Sequence, residues 1–288
     1  MQAGRALAVY ANSHGFTGRE RGTRHMLSVS LLAEDDAGMQ SDHWYDSVRA
    51  AQDFMPAAHI GRKAAERVLS RLGAQSLTTR QCPVLFASEV ARGLIGHLLN
   101  AVSGGALYRK ASFLLDARGK RILPEFVDLI EDPFLPRGHA SAAFDAEGVE
   151  TTRSALVEGG VLQRYLLSSY SARKLGMEST GNAGGVHNLI VRTGADDFDA
   201  MLRRLGTGLL VTQTMGQGVN GVTGDYSRGA AGFWVENGVI QYPVEEITIA
   251  ANLRDVYANI VAIGNDVDPR SHVLCGSILV ERMTVAGA

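Results

Sequence analysis

The stretch that decides the fold runs from Gly216 to Gly238 and reads GQGVNGVTGDYSRGAAGFWVENG. Its first six residues match the dinucleotide-binding pattern G-x-G-x-x-G and follow an apolar run at 209–211. A dinucleotide loop needs a helix directly after its third glycine, because the helix amides hold the pyrophosphate. The residues after Gly221 are instead turn-rich and lead into a predicted strand at 231–236. A nucleotide-binding enzyme is therefore the least favoured interpretation.

The end of the same stretch predicts a hairpin, because Asn237-Gly238 is the strongest short turn signal between two apolar runs. Gly159-Gly160 predicts a second hairpin, between strands at 154–158 and 161–167. Apolar residues at helical spacing predict helices, and short apolar runs predict further strands. The predicted helices are 60–72, 89–102, 196–205 and 247–260, and the further strands are 82–87, 186–192 and 277–283. Hairpins with interspersed helices indicate an α+β fold with largely antiparallel sheets.

Composition excludes several classes of protein. The 288 residues are 45% hydrophobic and 20% charged, with a formal net charge of −2, which gives no broad attraction to nucleic acid or to an anionic membrane. No apolar run approaches the ~20 residues of a membrane span. Two distant cysteines, Cys82 and Cys275, argue against a disulfide scaffold. We expect a cytoplasmic protein with neither nucleic acid nor membrane as partner.

No motif for hydrolysis emerges from the residues themselves. None of the eight histidines is followed by glutamate, as a zincin helix requires, and there is no G-x-S-x-G elbow. His97 falls on the apolar face of the second predicted helix, where a core or interface histidine is the favoured interpretation. His187 and His272 are in strand-like contexts without a second ligand at short spacing, and Cys275 is predicted to be a buried, inert thiol. We predict no catalytic residue and no metal ligand.

The glycine-rich stretch carries many hydrogen-bonding groups among small residues, which would let another backbone approach closely. An extended peptide could add to a sheet edge there. The equally favoured alternative makes Asp225 a turn-capping residue and Arg228 a solvated cation. The candidate contacts to substrate or partner are Asn220, Thr223, Gly224, Asp225, Ser227 and Arg228.

Read from residue 206 to 253, this region resembles the C-terminal part of the TldD/PmbA family of peptidases, in its PmbA (TldE) branch. The resemblance extends to SGGALYRKASFLLD (103–116), STGNAGGVHNL (179–189) and GSILVERMTVAG (276–287), and to NSHGFTG (12–18) and LSVSLLAEDDAGMQSDHWYD (27–46). It implies that 1–110 is the remainder of an N-terminal and central α/β region. It also implies that 111–288 is a C-terminal domain rich in antiparallel strands. Family members carry a further N-terminal region, much of which we expect this chain to lack.

The resemblance also implies a function. Family members form a proteolytic assembly in which a TldD-like subunit pairs with a PmbA-like subunit to degrade unfolded peptides or mature a peptide antibiotic, hence the description modulator of gyrase. The zinc of the TldD-like subunit is held by an H-E-x-x-x-H helix and a later cysteine. Here the helix aligns near 87–94 and the cysteine near 262–263, and the ligands are missing. We therefore expect a non-catalytic subunit without a cofactor, with zinc on the TldD-like partner.

Three alternatives stay open at this point. The chain could be an autonomous metallopeptidase that recruits metal through His97, His187, His272 or Cys275. It could be a peptide-binding or dimerisation module without a part in hydrolysis. It could also assemble as a homodimer.

Overall fold

The N-terminal part of the chain forms a three-stranded antiparallel sheet. The computed structural model describes residues 1–36 and 38–287. Within it, strands β1 (Gln2–Ala11), β2 (Thr17–Asp35) and β3 (Gly38–Val48) lie in the order β1-β2-β3. Helix α1 (Ala57–Leu69) packs on β2 and β3 and buries Ile60, Ala64 and Val68. Their four-residue spacing places these three side chains on one face of the helix, as predicted.

Six strands form a second sheet in the order β11-β10-β9-β4-β14-β12. Residues Thr248–Ala250 of β11 also pair with β14, which closes the sheet on itself. β4 and β9 run parallel, and the other pairings of this sheet are antiparallel. The strands are β4 (Arg80–Phe86), β9 (Gly208–Met215), β10 (Asp225–Glu236), β11 (Val239–Asn252), β12 (Ile260–Ile263) and β14 (Ile278–Ala286).

A third sheet has five short strands in the order β13-β8-β5-β6-β7. β13 and β8 run parallel, and the other neighbours run antiparallel. Gly159 and Gly160 join β6 to β7 with φ values of 55° and 75°, which confirms the predicted two-residue turn. The strands are β5 (Leu129–Asp132), β6 (Ser154–Glu158), β7 (Val161–Leu162), β8 (Asn188–Val191) and β13 (Val273–Leu274).

The core lies on both faces of β4. Val84 and Phe86 join the larger apolar cluster, whereas Leu85 joins a smaller one on the other face, as expected for alternating side chains of a strand. Helix α2 (Ser88–Ala101) follows β4 and buries its apolar face in the larger cluster. The remaining helices are α3 (Gly104–Tyr108), α4 (Ser169–Leu175), α5 (Phe198–Leu205) and α6 (Leu253–Ala258), with a 3₁₀ turn at Ala51–Asp53.

This architecture confirms the α+β class with largely antiparallel sheets. Along the part of the chain that the structure describes, none of the helices has the length and apolar character needed to cross a bilayer. The predicted hairpin at Asn237-Gly238 is also confirmed, since it joins β10 to β11.

Several element predictions are wrong. The predicted helix at 247–260 is the end of strand β11, then the short α6, then the start of β12, because Ile247 and Ile249 point to the core with the period of a strand. β10 begins at Asp225, not at residue 231, because pairing with β11 extends back to that residue. The strand predicted at 161–167 stops at Leu162.

Candidate functional site

Residues 216–225 form a turn that its own polar groups hold together. Asn220 Oδ1 accepts hydrogen bonds from the backbone N–H groups of Val222 at 2.9 Å and Thr223 at 3.3 Å. The C=O of Asn220 accepts from the N–H of Gly224 at 2.9 Å. Gly224 is buried with φ of +86°, a conformation that favours glycine. Asn220 and Gly224 therefore shape the turn, and their predicted contact with peptide or partner stays a prediction.

Asp225 ties this turn to helix α6. Its carboxylate accepts hydrogen bonds from Thr223 Oγ1 at 2.6 Å and Asn252 Nδ2 at 3.2 Å. Asn252 caps α6 by accepting from the N–H of Arg254. The hydrogen bond from Thr223, followed by that from Asn252, lowers the pKa of Asp225 below its ordinary value. This geometry agrees with the turn-capping alternative for Asp225.

Ser227 and Arg228 lie in strand β10, and both sides of that strand are occupied. β11 pairs with β10 from Asp225 onward. On the other side the N–H of Ser227 donates to the C=O of Gly218 at 2.7 Å, and β9 pairs from Gly229 onward. A Cβ on Gly218 would lie 1.8 Å from Ser227 O, so only glycine permits this approach. The expectation that a peptide adds to a free sheet edge at this loop is therefore wrong.

A cavity of about 380 Å³ lies between the turn and helix α2. Arg228 and His97 line it, and the His97 ring meets the Tyr226 ring edge-on with centroids 5.8 Å apart. Burial, and then the charge of Arg228, lowers the pKa of His97, so this imidazole is neutral near neutral pH. Burial raises the pKa of Tyr226 to about 12. The cavity thus offers the Arg228 cation and the neutral imidazole of His97, with the Tyr226 ring packed against that imidazole.

The start of helix α2 does not fit a zinc site. With Glu89 at the glutamate of the H-E-x-x-x-H pattern, the two histidine positions fall on Ser88 and Gly93. The Glu89 carboxylate forms an ion pair with Arg67 Nη1 at 2.6 Å, which gives it a structural role. The cysteine position lies in β12, where Ala262 is buried. Within residues 1–36 and 38–287, no three His, Cys, Asp or Glu side chains come together as metal donors.

The other ligand candidates are dispersed or engaged. His187 lies just before β8, where its Nδ1 is 2.8 Å from the buried carboxylate of Glu131. His272 lies just before β13, so each of these two histidines directly precedes a strand. Cys275 is buried, and burial raises the pKa of its thiol far above the ordinary value, as an inert thiol requires.

A larger groove of about 550 Å³ runs along the other side of α2. Gly93 and Gly96 form part of its helical wall, with the start of α3 (103–105), the 182–186 loop and the start of β13 (271–273) around it. None of the six candidate residues lines this groove. Two glycines three apart on a predicted helix, together with the glycine-rich 179–189 segment, are the sequence signals that could have indicated it.

Two family models match the chain. The PmbA/TldA metallopeptidase central domain matches residues 4–72, and the PmbA/TldA metallopeptidase C-terminal domain matches residues 79–287. The division at residue 110 stays a prediction.

Curated relatives and solved structures agree with this match. Metalloprotease PmbA of Escherichia coli O157:H7 is 52% identical over 281 residues, and the PmbA homolog of Haemophilus influenzae is 49% identical over 282 residues. Each alignment covers 98% of this chain but 62% of the relative. A proposed modulator of DNA gyrase from Bacteroides thetaiotaomicron superposes with a TM-score of 0.94 at 30% identity, covering 99% of this chain and 65% of that one. TldE from Thermococcus kodakarensis shares the fold, with a TM-score of 0.88 at 22% identity. That superposition covers 99% of this chain and 68% of the TldE chain.

Proposed function

Because the chain belongs to the TldD/PmbA metallopeptidase family, we propose that it is a PmbA/TldE-like subunit of a zinc metallopeptidase complex. In this proposal a TldD-like partner carries the catalytic zinc, and this chain is non-catalytic. The complex acts in the cytoplasm on unfolded peptides, including the maturation of peptide antibiotics that gives the description modulator of gyrase.

One observation carries the proposal: the start of α2 lacks zinc donors although the helix itself is intact. Ser88 and Gly93 stand at the histidine positions, and neither hydroxyl nor hydrogen replaces an imidazole in a zinc site. Glu89 is held by Arg67 and cannot act as a free base without breaking a 2.6 Å ion pair. Hydrolysis therefore needs a metal supplied by another subunit.

The groove along α2 supports a role in holding peptide. Gly93 and Gly96 present backbone without side chains along its helical wall, so an extended chain can lie close to the helix. Ser103 and Asn182 also line the groove and supply hydrogen-bonding groups. Small and polar surfaces of this kind bind backbone with little demand on side-chain identity, which suits unfolded peptides.

The glycine turn supports a narrower role in contact with substrate or partner. Asn220, Thr223 and Asp225 are engaged within the turn, whereas Arg228 faces a cavity. We propose Arg228, with the neighbouring Ser227, as the contact of this region. Asp225 would then act by holding the turn in place.

The test is co-purification with a TldD-like subunit, followed by a peptide-degradation assay with and without this chain. We expect chelator-sensitive cleavage in the mixture, and no stoichiometric zinc in the isolated chain by elemental analysis. The double variant D225A/R228A should lower cleavage in the mixture, whereas R118Q, which removes an exposed arginine elsewhere, should not.

Two outcomes would favour the alternatives. Stoichiometric zinc with chelator-sensitive activity in the isolated chain would make it an autonomous metallopeptidase. Unchanged cleavage by the partner in the absence of this chain would leave a peptide-binding or dimerisation module, and a homodimer in solution would fit that result.

A further inference from the structure

A second cleft, outside the groove and the glycine turn, combines arginines with an apolar wall. It measures about 810 Å³ and lies between the β1–β2 hairpin and the loop that follows β5. Arg24, Arg49 and His139 line one part of it, and Pro133 and Phe134 line another. None of the residues discussed for proteolysis lies in this cleft.

Among the residues that the structure describes, Arg24 and Arg49 have no carboxylate as an ion-pair partner. Arg24 Nη2 lies 3.4 Å from His139 Nδ1, and Arg49 Nη1 donates to the C=O of Gly138 at 2.9 Å. Within the described part of the chain, neither guanidinium forms an ion pair, and Arg49 Nε is buried without a hydrogen-bond partner. Gly22 allows this arrangement, since a Cβ there would lie 3.3 Å from Arg49 Nη2. Two permanent charges are thus held side by side without an anion.

The other groups of the cleft leave it with a positive charge. Glu20 lines it and its carboxylate accepts from the N–H of Ala143 at 3.1 Å, but Arg5 and Arg21 line the cleft as well. Burial, and then the charges of Arg24 and Arg49, lower the pKa of His139, which leaves the imidazole neutral near neutral pH. A neutral His139 can still donate or accept a hydrogen bond.

The shape of the cleft selects among anions. Guanidinium groups match the planar oxygens of a carboxylate in two parallel hydrogen bonds. Phe134, which lines the same cleft, is a large apolar side chain that is 56% exposed, so its ring is available to pack against an apolar group of a ligand. A carboxylate next to an apolar side chain is the chemistry of a peptide C-terminus, whereas a free inorganic anion would make no use of Phe134.

We propose that this cleft binds the C-terminal carboxylate of a peptide at Arg24 and Arg49, with the terminal side chain packed on Phe134. The proposal rests on the proposed function only in taking peptides as ligands. It adds a recognition element, because a peptide anchored by its C-terminus would be held in a fixed direction on the chain.

The test uses an N-terminally fluorescein-labelled hexapeptide, Gly-Ala-Ser-Gly-Ala-Leu, as the free acid and as the C-terminal amide, with binding followed by fluorescence anisotropy. We expect the amide to bind ~10-fold more weakly, since a charge-assisted hydrogen bond is lost. Arg24→Gln should weaken binding of the free-acid peptide ~10-fold and leave binding of the amide peptide unchanged. Arg24 is exposed, and its side-chain hydrogen bond is the one to His139 at 3.4 Å, so this variant should keep the parent's melting temperature.

Two controls separate this site from general attraction. Arg118→Gln removes the same charge from an exposed position outside the cleft and should leave both affinities unchanged. Phe134→Ala should weaken the peptide ending in Leu but not the same peptide ending in Gly.

Three outcomes would overturn the proposal: equal binding of acid and amide, equal weakening by Arg24→Gln and Arg118→Gln, or tighter binding of an amide that carries an internal aspartate. The last outcome would mean that the arginines bind acidic side chains of a peptide and not its C-terminal carboxylate. Co-purification with the TldD-like subunit needs no free carboxylate, so failure here and failure of the proposed function are distinguishable.

Discussion

Glu131 lies at the centre of a buried polar network that joins β5 to the 182–187 loop. Its carboxylate is 2% exposed and accepts hydrogen bonds from the N–H of His187 at 2.6 Å and from Asn182 Nδ2 at 2.9 Å. The guanidinium of Arg164 forms an ion pair with the same carboxylate. All of these partners can act as donors, so the site requires an acceptor that carries negative charge.

Glu131→Gln keeps the shape of the side chain but removes its charge and turns one acceptor into a donor. The amide nitrogen must then face Arg164 or the hydrogen-bond donors of Asn182 and His187. Breaking a buried ion pair by changing one partner costs about 3–5 kcal/mol. We expect the free energy of unfolding to fall by about that amount. Arg192→Gln is the matched control, because it breaks an ion pair with Asp128 in the same sheet while Arg192 is 69% exposed, and it should cost at most about 1 kcal/mol.

Urea unfolding followed by circular dichroism measures both variants. If Glu131→Gln lowers the free energy of unfolding no more than Arg192→Gln does, the buried charge does not stabilise the fold as we expect.

A series of unfolding measurements at different pH values adds a second check. Burial raises the pKa of Glu131, but the hydrogen bonds from His187 and the charge of Arg164 outweigh burial and hold it below the ordinary value. The stabilisation is therefore complete above the unfolded pKa of about 4.3 and is lost as pH falls through the lower folded pKa. The difference in the free energy of unfolding between the parent and Glu131→Gln should become smaller over that acidic range.

Two further predictions concern close packing and thiol chemistry. Gly232→Ala would place a Cβ 1.8 Å from Leu210 O in the neighbouring strand and should cost about 3 kcal/mol or more, whereas Gly229→Ala meets its nearest atom at an ordinary contact distance of 3.5 Å and should change stability by at most about 1 kcal/mol. Equal shifts in the urea midpoint would contradict this. Burial raises the pKa of Cys82 and of Cys275, so both thiols should resist a disulfide reagent near neutral pH in the native protein and react after unfolding. Fast labelling of Cys275 in the native protein would contradict this prediction.

The elements that sequence predicted well are those with local causes. The hairpin at Asn237-Gly238 needs positive φ at both residues, and the structure gives 51° and 76°. Helix α1 follows from four-residue spacing of apolar side chains within one segment. In both cases the information lies within a few residues, so no distant partner has to be known.

The errors have distant causes. The apolar residues of the 247–252 segment fit the spacing of a helix as well as that of a strand. The segment forms a strand because β11 pairs with both β10 and β14. The cleft between the β1–β2 hairpin and the loop after β5 is also formed by residues far apart in sequence, since Arg24, Arg49 and His139 come from three separate segments. The sequence identifies the glycine-rich stretch and offers a turn-capping Asp225 as one of two interpretations, but it does not decide between them or show that Asn220 also bonds within the turn.

Helix α2 explains how a family fold can be kept without zinc donors. The helix is held in place by Ala91, Leu94 and Leu98, whose side chains are buried in the core. Gly93 lies on a different face, and a Cβ there would meet no atom within 4 Å. Side chains at such a position contribute nothing to packing, so their identity is free to change while the helix and its groove stay the same. In the proposed function, peptide holding would depend on the shape of the groove and hydrolysis on the zinc donors of the partner, so the two could be separated.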